Sequence, residues 1–331
     1  MDCKNGNQLE FHHFHAGDVT RYAHFYELRS NLTSDSTPLE SFLWRKYFDA
    51  RAAVLKDGER ELGLLWLYGT EEEPYAAMPL AREEDLPACF AALQQYFHEI
   101  LKKPLVVKLA DEGAVTALAL PADKYLVEEV QDAADYLYDG NALRTLAGRK
   151  LHKKKNHYNN FIKNYGERFT YRALTPDDHD DVLRFLEKWR DGKGEEVEDH
   201  LDREVDGIHD LLNHDAEVME DTNAKSGAIF IDGKLAAFSF GSLNQRDNMA
   251  VIHIEKANPE IDGLYQAINK EFLCHAFPEA AIINREDDVG LEGLRKSKQS
   301  YYPCGFAKKY LILERKGADL SDRQIQVEMQ Y

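Results

Sequence analysis

Ala53-Val54-Leu55-Lys56-Asp57-Gly58, followed by the apolar run Leu62 to Tyr68 (LGLLWLY), is the stretch from which the fold can be read. Asp57-Gly58 supplies the positive backbone dihedrals of a tight turn and apolar residues fill both arms, so the stretch predicts a β-hairpin. The pattern returns at Ala228-Ile229-Phe230-Ile231-Asp232-Gly233, followed by Leu235 to Phe240. The two copies begin at positions 53 and 228, 175 residues apart, and a long-period repeat of this kind governs everything that follows. Each hairpin precedes a third predicted strand, Tyr75 to Leu80 or Met249 to Ile254. An amphipathic helix comes next, Leu86 to Leu101 or Leu264 to Phe277. A buried strand follows, Leu105 to Leu109 or Ala280 to Asn284, and then a short helix and a last strand, Lys124 to Val130 or Lys308 to Glu314. Antiparallel strands, a crossover helix and a further strand predict an α+β (mixed α/β) fold present twice, each copy a mostly antiparallel mixed sheet flanked by helices. The expected division is 1–147, a basic helical connector at 148–166, and 167–331.

The chain of 331 residues is long enough for two cores. With 44% hydrophobic and 30% charged residues it is neither wholly disordered nor a membrane protein. Leu62 to Tyr68 falls far short of the roughly 18 apolar residues a spanning helix needs, and the polar start MDCKNGNQLE does not read as a signal peptide, so no membrane insertion and a cytoplasmic address are expected. Cys3, Cys89, Cys274 and Cys304 lie too far apart for a Cys-x-x-Cys pair, which points to ordinary reduced thiols. The formal charge of −18 argues against DNA and anionic membrane surfaces as partners.

That total hides a partition. Thr175 to Asp221 holds 18 acids and 5 bases, whereas Arg144 to Arg168 holds 8 bases and Glu167 alone. The basic stretch predicts a helix with Tyr158, Phe161, Ile162 and Tyr165 on one face. Its lysines could pair with the acidic run downstream, or contact phosphates of a nucleic acid, with His157, Tyr158 and Asn159 offering stacking and hydrogen bonds.

The element order of each half resembles the N-acetyltransferase superfamily (GNAT) fold. Three motifs, Tyr138-Asp139-Gly140, Gly148 to His157 (GRKLHKKKNH) and Asn284 to Lys298 (NREDDVGLEGLRKSK), resemble a bacterial family grouped with the C-terminal catalytic domain of phosphatidylglycerol lysyltransferase. The resemblance covers nearly the whole chain. It implies tandem acyltransferase folds related to Fem-type aminoacyl-tRNA-dependent transferases. The implied activity is transfer of an acyl or aminoacyl group from a carrier, acyl-CoA or aminoacyl-tRNA, to an amine or hydroxyl. The alternative is a noncatalytic ligand- or tRNA-binding module that keeps a degenerate fold.

A GNAT domain grips the pyrophosphate of acyl-CoA with a glycine-rich loop before a helix. The corresponding stretches here, Lys256 to Leu264 and Pro79 to Asp85, carry one glycine and none, and both carry carboxylates. An aminoacyl carrier docking along residues 148–165, with Lys153, Lys154, Asn156 and His157 as contacts, fits equally well. The charged turn Arg285-Glu286-Asp287-Asp288 follows a predicted buried strand, where ligands of open sheets bind. Asp287 or Asp288 could hold an ammonium or act as base, while Asn284, Arg285, Glu286, Arg295 and Lys298 would complete the binding set. A solvated helix N-terminus explains the same acids and bases without function. From the resemblance, Glu255 stands where the superfamily often places a base and Tyr301 where it often places an acid. His253 alternates inward with Val251 and reads as a core histidine. His12, His13 and His15 alternate with Phe11 and Phe14 as a first strand, and no metal is expected.

Overall fold

The computed structural model describes residues 9–191, 198–214, 218–219 and 222–315. The readings that fall on residues 1–8, and on parts of the acidic run at 192–197, 215–217 and 220–221, lie outside the described residues. The strands are β1 (His12–His13), β2 (Arg51–Asp57), β3 (Arg60–Tyr68), β4 (Tyr75–Ala76), β5 (Leu80–Ala81), β6 (Val106–Asp111), β7 (Tyr125–Glu129), β8 (Asp135–Asp139), β9 (Phe169–Arg172), β10 (Ala224–Ile231), β11 (Lys234–Asn244), β12 (Met249–Ala257), β13 (Ile282–Asn284), β14 (Gly305–Ala307) and β15 (Lys309–Glu314). The helices are α1 (Ala16–Tyr22), α2 (Pro38–Trp44), α3 (Leu86–Tyr96), α4 (Glu112–Leu118), α5 (Gly140–Thr145), α6 (His152–Tyr165), α7 (His179–Asp191), α8 (Glu198–Asn213), α9 (Leu264–Ala276) and α10 (Glu292–Gln299).

Both Asp-Gly hairpins form, β2 with β3 and β10 with β11. Gly58 and Gly233 hold the positive φ that these turns require. The strands assemble into two sheets, in the orders β1-β2-β3-β4-β6-β15-β7 (with β5 on β3) and β14-β8-β13-β12-β11-β10-β9. Each is mostly antiparallel with one parallel pair, β4 with β6 and β12 with β13. The third strand of the first half is broken into the two-residue pieces β4 and β5, both pairing with β3.

The last strands do not fall where the repeat predicts. Lys308 to Glu314 was expected to close the second sheet. Instead β15 enters the first sheet, between β6 and β7. Reciprocally, β8 leaves the first half and inserts between β13 and β14 of the second sheet. Each half therefore gives one strand to the other, and the expected boundaries at 147 and 167 are crossed in both directions. The cores follow suit. One buried cluster joins Phe25, Leu39, Phe42 and Trp66 of the first half to Leu186, Ile208, Phe238 and Ile254 of the second. At about 1.5–3 kcal/mol for each large side chain fully buried, this shared layer ties the two halves together. A second cluster packs α3 on the first sheet, and a third packs α6 and α9 on the second.

Where β12 and β13 part company a space opens. Their pairing is confined to Met249–Val251 with Ile282–Asn284, so residues after 251 and 284 diverge. The first sheet does the same beyond the single parallel pair Ala76 with Val107. The two splayed points face a common cavity.

Candidate active site

The cavity has a volume of about 870 Å³, within the size range of small-molecule sites. The second sheet contributes His253, Glu255 and Lys256 from β12, and Arg285, Glu286 and Asp287 from the turn after β13. The first half contributes Glu40 from α2, Lys108 from β6, and an aromatic wall of Trp44, Tyr47, Phe48, Tyr68 and Tyr75. One end is thus densely charged and the other aromatic, with Lys108 Nζ 4.3 Å from the centre of the Tyr75 ring. The cavity also takes Lys298 and Ser297 from α10 and Lys309 from the start of β15.

The charged turn expected to carry the site does lie on the cavity, but its residues divide by task. Asn284 is fully buried: its Nδ2 donates to Leu32 O at 2.9 Å and to Asp135 Oδ2 at 3.0 Å, and its Oδ1 accepts from the Glu286 amide at 2.7 Å. It shapes the turn. Asp288 accepts from Tyr136 OH at 2.6 Å and from Arg295 Nε and Nη2 at 2.8 and 2.7 Å. Burial alone would raise its pKa, yet the bonds from Arg295 and Tyr136 hold it below the ordinary carboxylate value. Arg295 also meets Asp132 at 2.8 Å. Neither Asp288 nor Arg295 lines the cavity. Sequence reasoning offered Arg295 as an anchor for a substrate carboxylate or phosphate, whereas it clamps α10 to β8 and to the segment before it.

Glu255 and Arg285 form a buried ion pair, Nη2 to Oε1 at 2.8 Å, and Asn269 Nδ2 donates to the other carboxylate oxygen at 2.8 Å. Both carboxylate oxygens of the expected base are therefore engaged. Nη1 of Arg285 is buried without a hydrogen-bond partner among the described residues. Tyr301 is buried and does not line the cavity; its ring lies 4.9 Å from the Arg285 guanidinium and 4.1 Å from Lys154 Nζ. Burial pushes the Tyr301 hydroxyl above its usual pKa. Burial, reinforced by Arg285, brings Lys154 down to about 8. Lys298 is 9% exposed, and its ammonium donates to the backbone carbonyls of Arg285, at 2.6 Å, and of Asp287. Asp287 is the least committed acid of the turn. Its one side-chain hydrogen bond among the described residues comes from the Val289 amide at 3.0 Å, and burial pushes its carboxyl up to about 6.

His253, read from the sequence as a core histidine, is buried but meets two carboxylates of the cavity wall. Its Nδ1 lies 2.9 Å from Glu40 Oε2 and 2.9 Å from Glu286 Oε1. Nε2 meets Ser242 Oγ at 2.9 Å and Thr37 Oγ1 at 3.3 Å. Burial by itself would lower the imidazole pKa, but the two carboxylates outweigh it and push it up to about 9. The signal was a histidine at an inward strand position between Ile252 and Ile254. Glu40 had no signal, since its partners lie more than 200 residues away.

The connector contacts sit elsewhere. Lys153, Asn156 and His157 are exposed on α6, and His157 Nδ1 meets Asp262 Oδ1 at 2.9 Å. Asn156 Nδ2 is 3.4 Å from His152 Nδ1. Only Lys154 of this set reaches towards the cavity, through Tyr301 and Arg285. The pairing of this helix with the acidic run is not found: among the described residues no ion pair joins 149–163 to 175–221. The acids of α8 instead bind Arg45, Lys46 and Lys256 through Asp210 and Glu204. His12 and His13 form β1 and pair with β2, as the alternation predicted.

Residues 52–313 match the family model described as phosphatidylglycerol lysyltransferase, C-terminal. The chain belongs to that family. An uncharacterised protein of Mycoplasmoides gallisepticum is 28% identical over 195 residues, 57% of this chain, and the match spans 59% of that relative's own length. A crystal structure of a conserved protein of unknown function from Bacteroides thetaiotaomicron is 27% identical, covers 93% of this chain and 100% of its own, and superposes with a TM-score of 0.83. The structure of L-PGS from Bacillus licheniformis shares the fold at 16% identity, with 91% and 92% of the two chains covered and a TM-score of 0.63. The two mixed sheets are the fold that this chain shares with L-PGS. Among the described residues no helix is long and apolar enough to cross a membrane.

Proposed function

We propose that the protein transfers an aminoacyl group from an aminoacyl-tRNA to an amine or hydroxyl acceptor inside the central cavity. The observation that carries this reading is the cavity itself. It lies between the splayed strands of two sheets, draws its walls from both halves and presents Asp287 in the field of the cations Lys309 and Lys298. The acceptor nucleophile attacks the ester carbonyl, its proton passes to Asp287, and the carrier's hydroxyl leaves with a proton returned to it, so protons balance over the cycle. Family membership supports transfer chemistry, and it is the family description that names an aminoacyl group and a lipid.

Two features favour a tRNA carrier over acyl-CoA. At α9, where the superfamily seats a pyrophosphate, Gly263 lies so close to α6 that an added Cβ would stand 2.2 Å from His157 O, and Asp262 pairs with His157. At α3, Asp85 occupies the equivalent turn and binds Arg60 at 2.6 Å. Neither helix start has room or charge for a phosphate pair. The basic face of α6, which forms no ion pair with the described residues of the acidic run, is the surface a tRNA backbone would meet. The test is transfer of radiolabelled amino acid from charged bulk tRNA to amine and lipid acceptors. Asp287→Asn is expected to lower the rate by about 100-fold or more with the fold intact. A fully active Asp287→Asn, or turnover of acetyl-CoA in place of tRNA, would overturn the assignment.

A further inference from the structure

We infer that Glu40, His253 and Glu286 form a binding site for a divalent first-row transition ion, zinc foremost. The three come from separate parts of the chain: α2, the middle of β12 and the turn after β13. His253 Nδ1, a Glu40 carboxylate oxygen and a Glu286 carboxylate oxygen all lie within 4.8 Å of one another. Both carboxylates approach the same nitrogen at 2.9 Å. That nitrogen carries at most one proton, and one N–H cannot point at two acceptors with good geometry. A cation seated among the three serves all of them at once.

The surroundings suit a metal in three further respects. First, Ser242 Oγ at 2.9 Å from Nε2 can accept that nitrogen's proton, which fixes the tautomer with the Nδ1 lone pair free for a metal; ligating histidines are held this way. Second, the balance of charge improves. A divalent ion beside a neutral imidazole cancels the charge of both carboxylates, and the wall holds no unpaired charge. The nearby Lys298 ammonium is already engaged by two carbonyls. Third, Glu286 is held at φ +57, a left-handed conformation for a residue with a side chain, and its backbone is pinned by Asn284 Oδ1 and by the Tyr136 amide at 3.1 Å.

All three ligands line the cavity, so remaining coordination positions would open onto it. Three protein ligands with an open position is the arrangement of catalytic rather than structural zinc. One imidazole and two carboxylates favour zinc, cobalt or manganese over magnesium. This inference stands whether or not the cavity transfers aminoacyl groups, because its readout is metal binding.

The full chain is stripped with a chelator, dialysed and reloaded with Zn²⁺ or Co²⁺, and bound metal is counted by plasma mass spectrometry. One equivalent per chain is expected, with a Co²⁺ visible band and a rise in melting temperature that Mg²⁺ does not give. Glu286→Gln and Glu40→Gln keep side-chain size and should fold; each is expected to weaken binding about 100-fold or more. His253→Gln should abolish the band. Absence of stoichiometric metal, or metal retained at full affinity in both glutamine variants, would overturn the proposal.

Discussion

Lys309 is 3% exposed, and its ammonium lies 3.0 Å from Asp135 Oδ1, 3.1 Å from Asp35 Oδ2 and 3.1 Å from Ser34 Oγ. It stands at the first residue of β15, and Asp135 at the first residue of β8. The two exchanged strands are therefore pinned to each other where they begin. Burial alone would strip the proton from this lysine, but Asp135 and Asp35 hold its pKa well above the ordinary value. Lys309→Met is expected to destabilise the protein by about 3–5 kcal/mol, since it leaves buried carboxylates uncompensated; chemical denaturation measures this. Lys154 behaves oppositely. Its folded pKa lies near 8, below that of the unfolded chain, so between pH 8 and the ordinary lysine range the unfolded state holds a proton that the folded state lacks. Stability then rises with pH across that window. Lys154→Met should melt higher than the parent at pH 7, and the gap should close by about pH 10. At this scale the sequence made the Arg285 to Asp288 turn legible, because charges after a buried strand stand out. It left Glu40, Asp35 and Asp135 unread, because nothing local to them announces partners across the chain.

Among the elements, the hairpins were legible because Asp-Gly turns carry their own geometry, and the long helices because apolar residues recur on one face. The strands β8 and β14 were not: β14 is three residues long, and the Asp139-Gly140 at the end of β8 opens the helix α5 and no hairpin. The placement of β15 was unreadable for a different reason: a strand's pattern tells which face is buried but not which neighbour it pairs with. At Gly263, α9 approaches α6 closely. Gly263 combines φ +81 with the near approach to His157 O, so Gly263→Ala meets both a strained backbone and a clash. A loss of about 1–3 kcal/mol is expected, with α6 loosened first. Hydrogen exchange of the α6 amides is the readout; protection unchanged from the parent would contradict this packing account. Ile312, fully buried between β6 and β7, tests the exchanged strand in the same way. Ile312→Ala should cost about 2–5 kcal/mol and expose amides of the first sheet, though the residue belongs to the second half of the sequence.

For the whole molecule, the exchange of β8 and β15 makes a prediction about dissection. Residues 1–147 and 167–331, expressed apart, should each fail to give a cooperative melting transition, because each lacks an inner strand of its sheet and carries an unpaired one. Expressed together with the connector supplied on either piece, they should reassemble, which size exclusion and calorimetry would detect. A folded, cooperative N-terminal half on its own would contradict the topology. The same exchange bears on how the chain comes to be folded during synthesis. The first sheet has a gap between β6 and β7 that only residues 309–314 fill, so it cannot close while those residues are still inside the ribosome. Vectorial maturation, with an early domain finished before a late one begins, is thereby denied to this protein. The nascent polypeptide must shelter two open strand edges until residues 309–314 have emerged, and slow folding is expected from that wait.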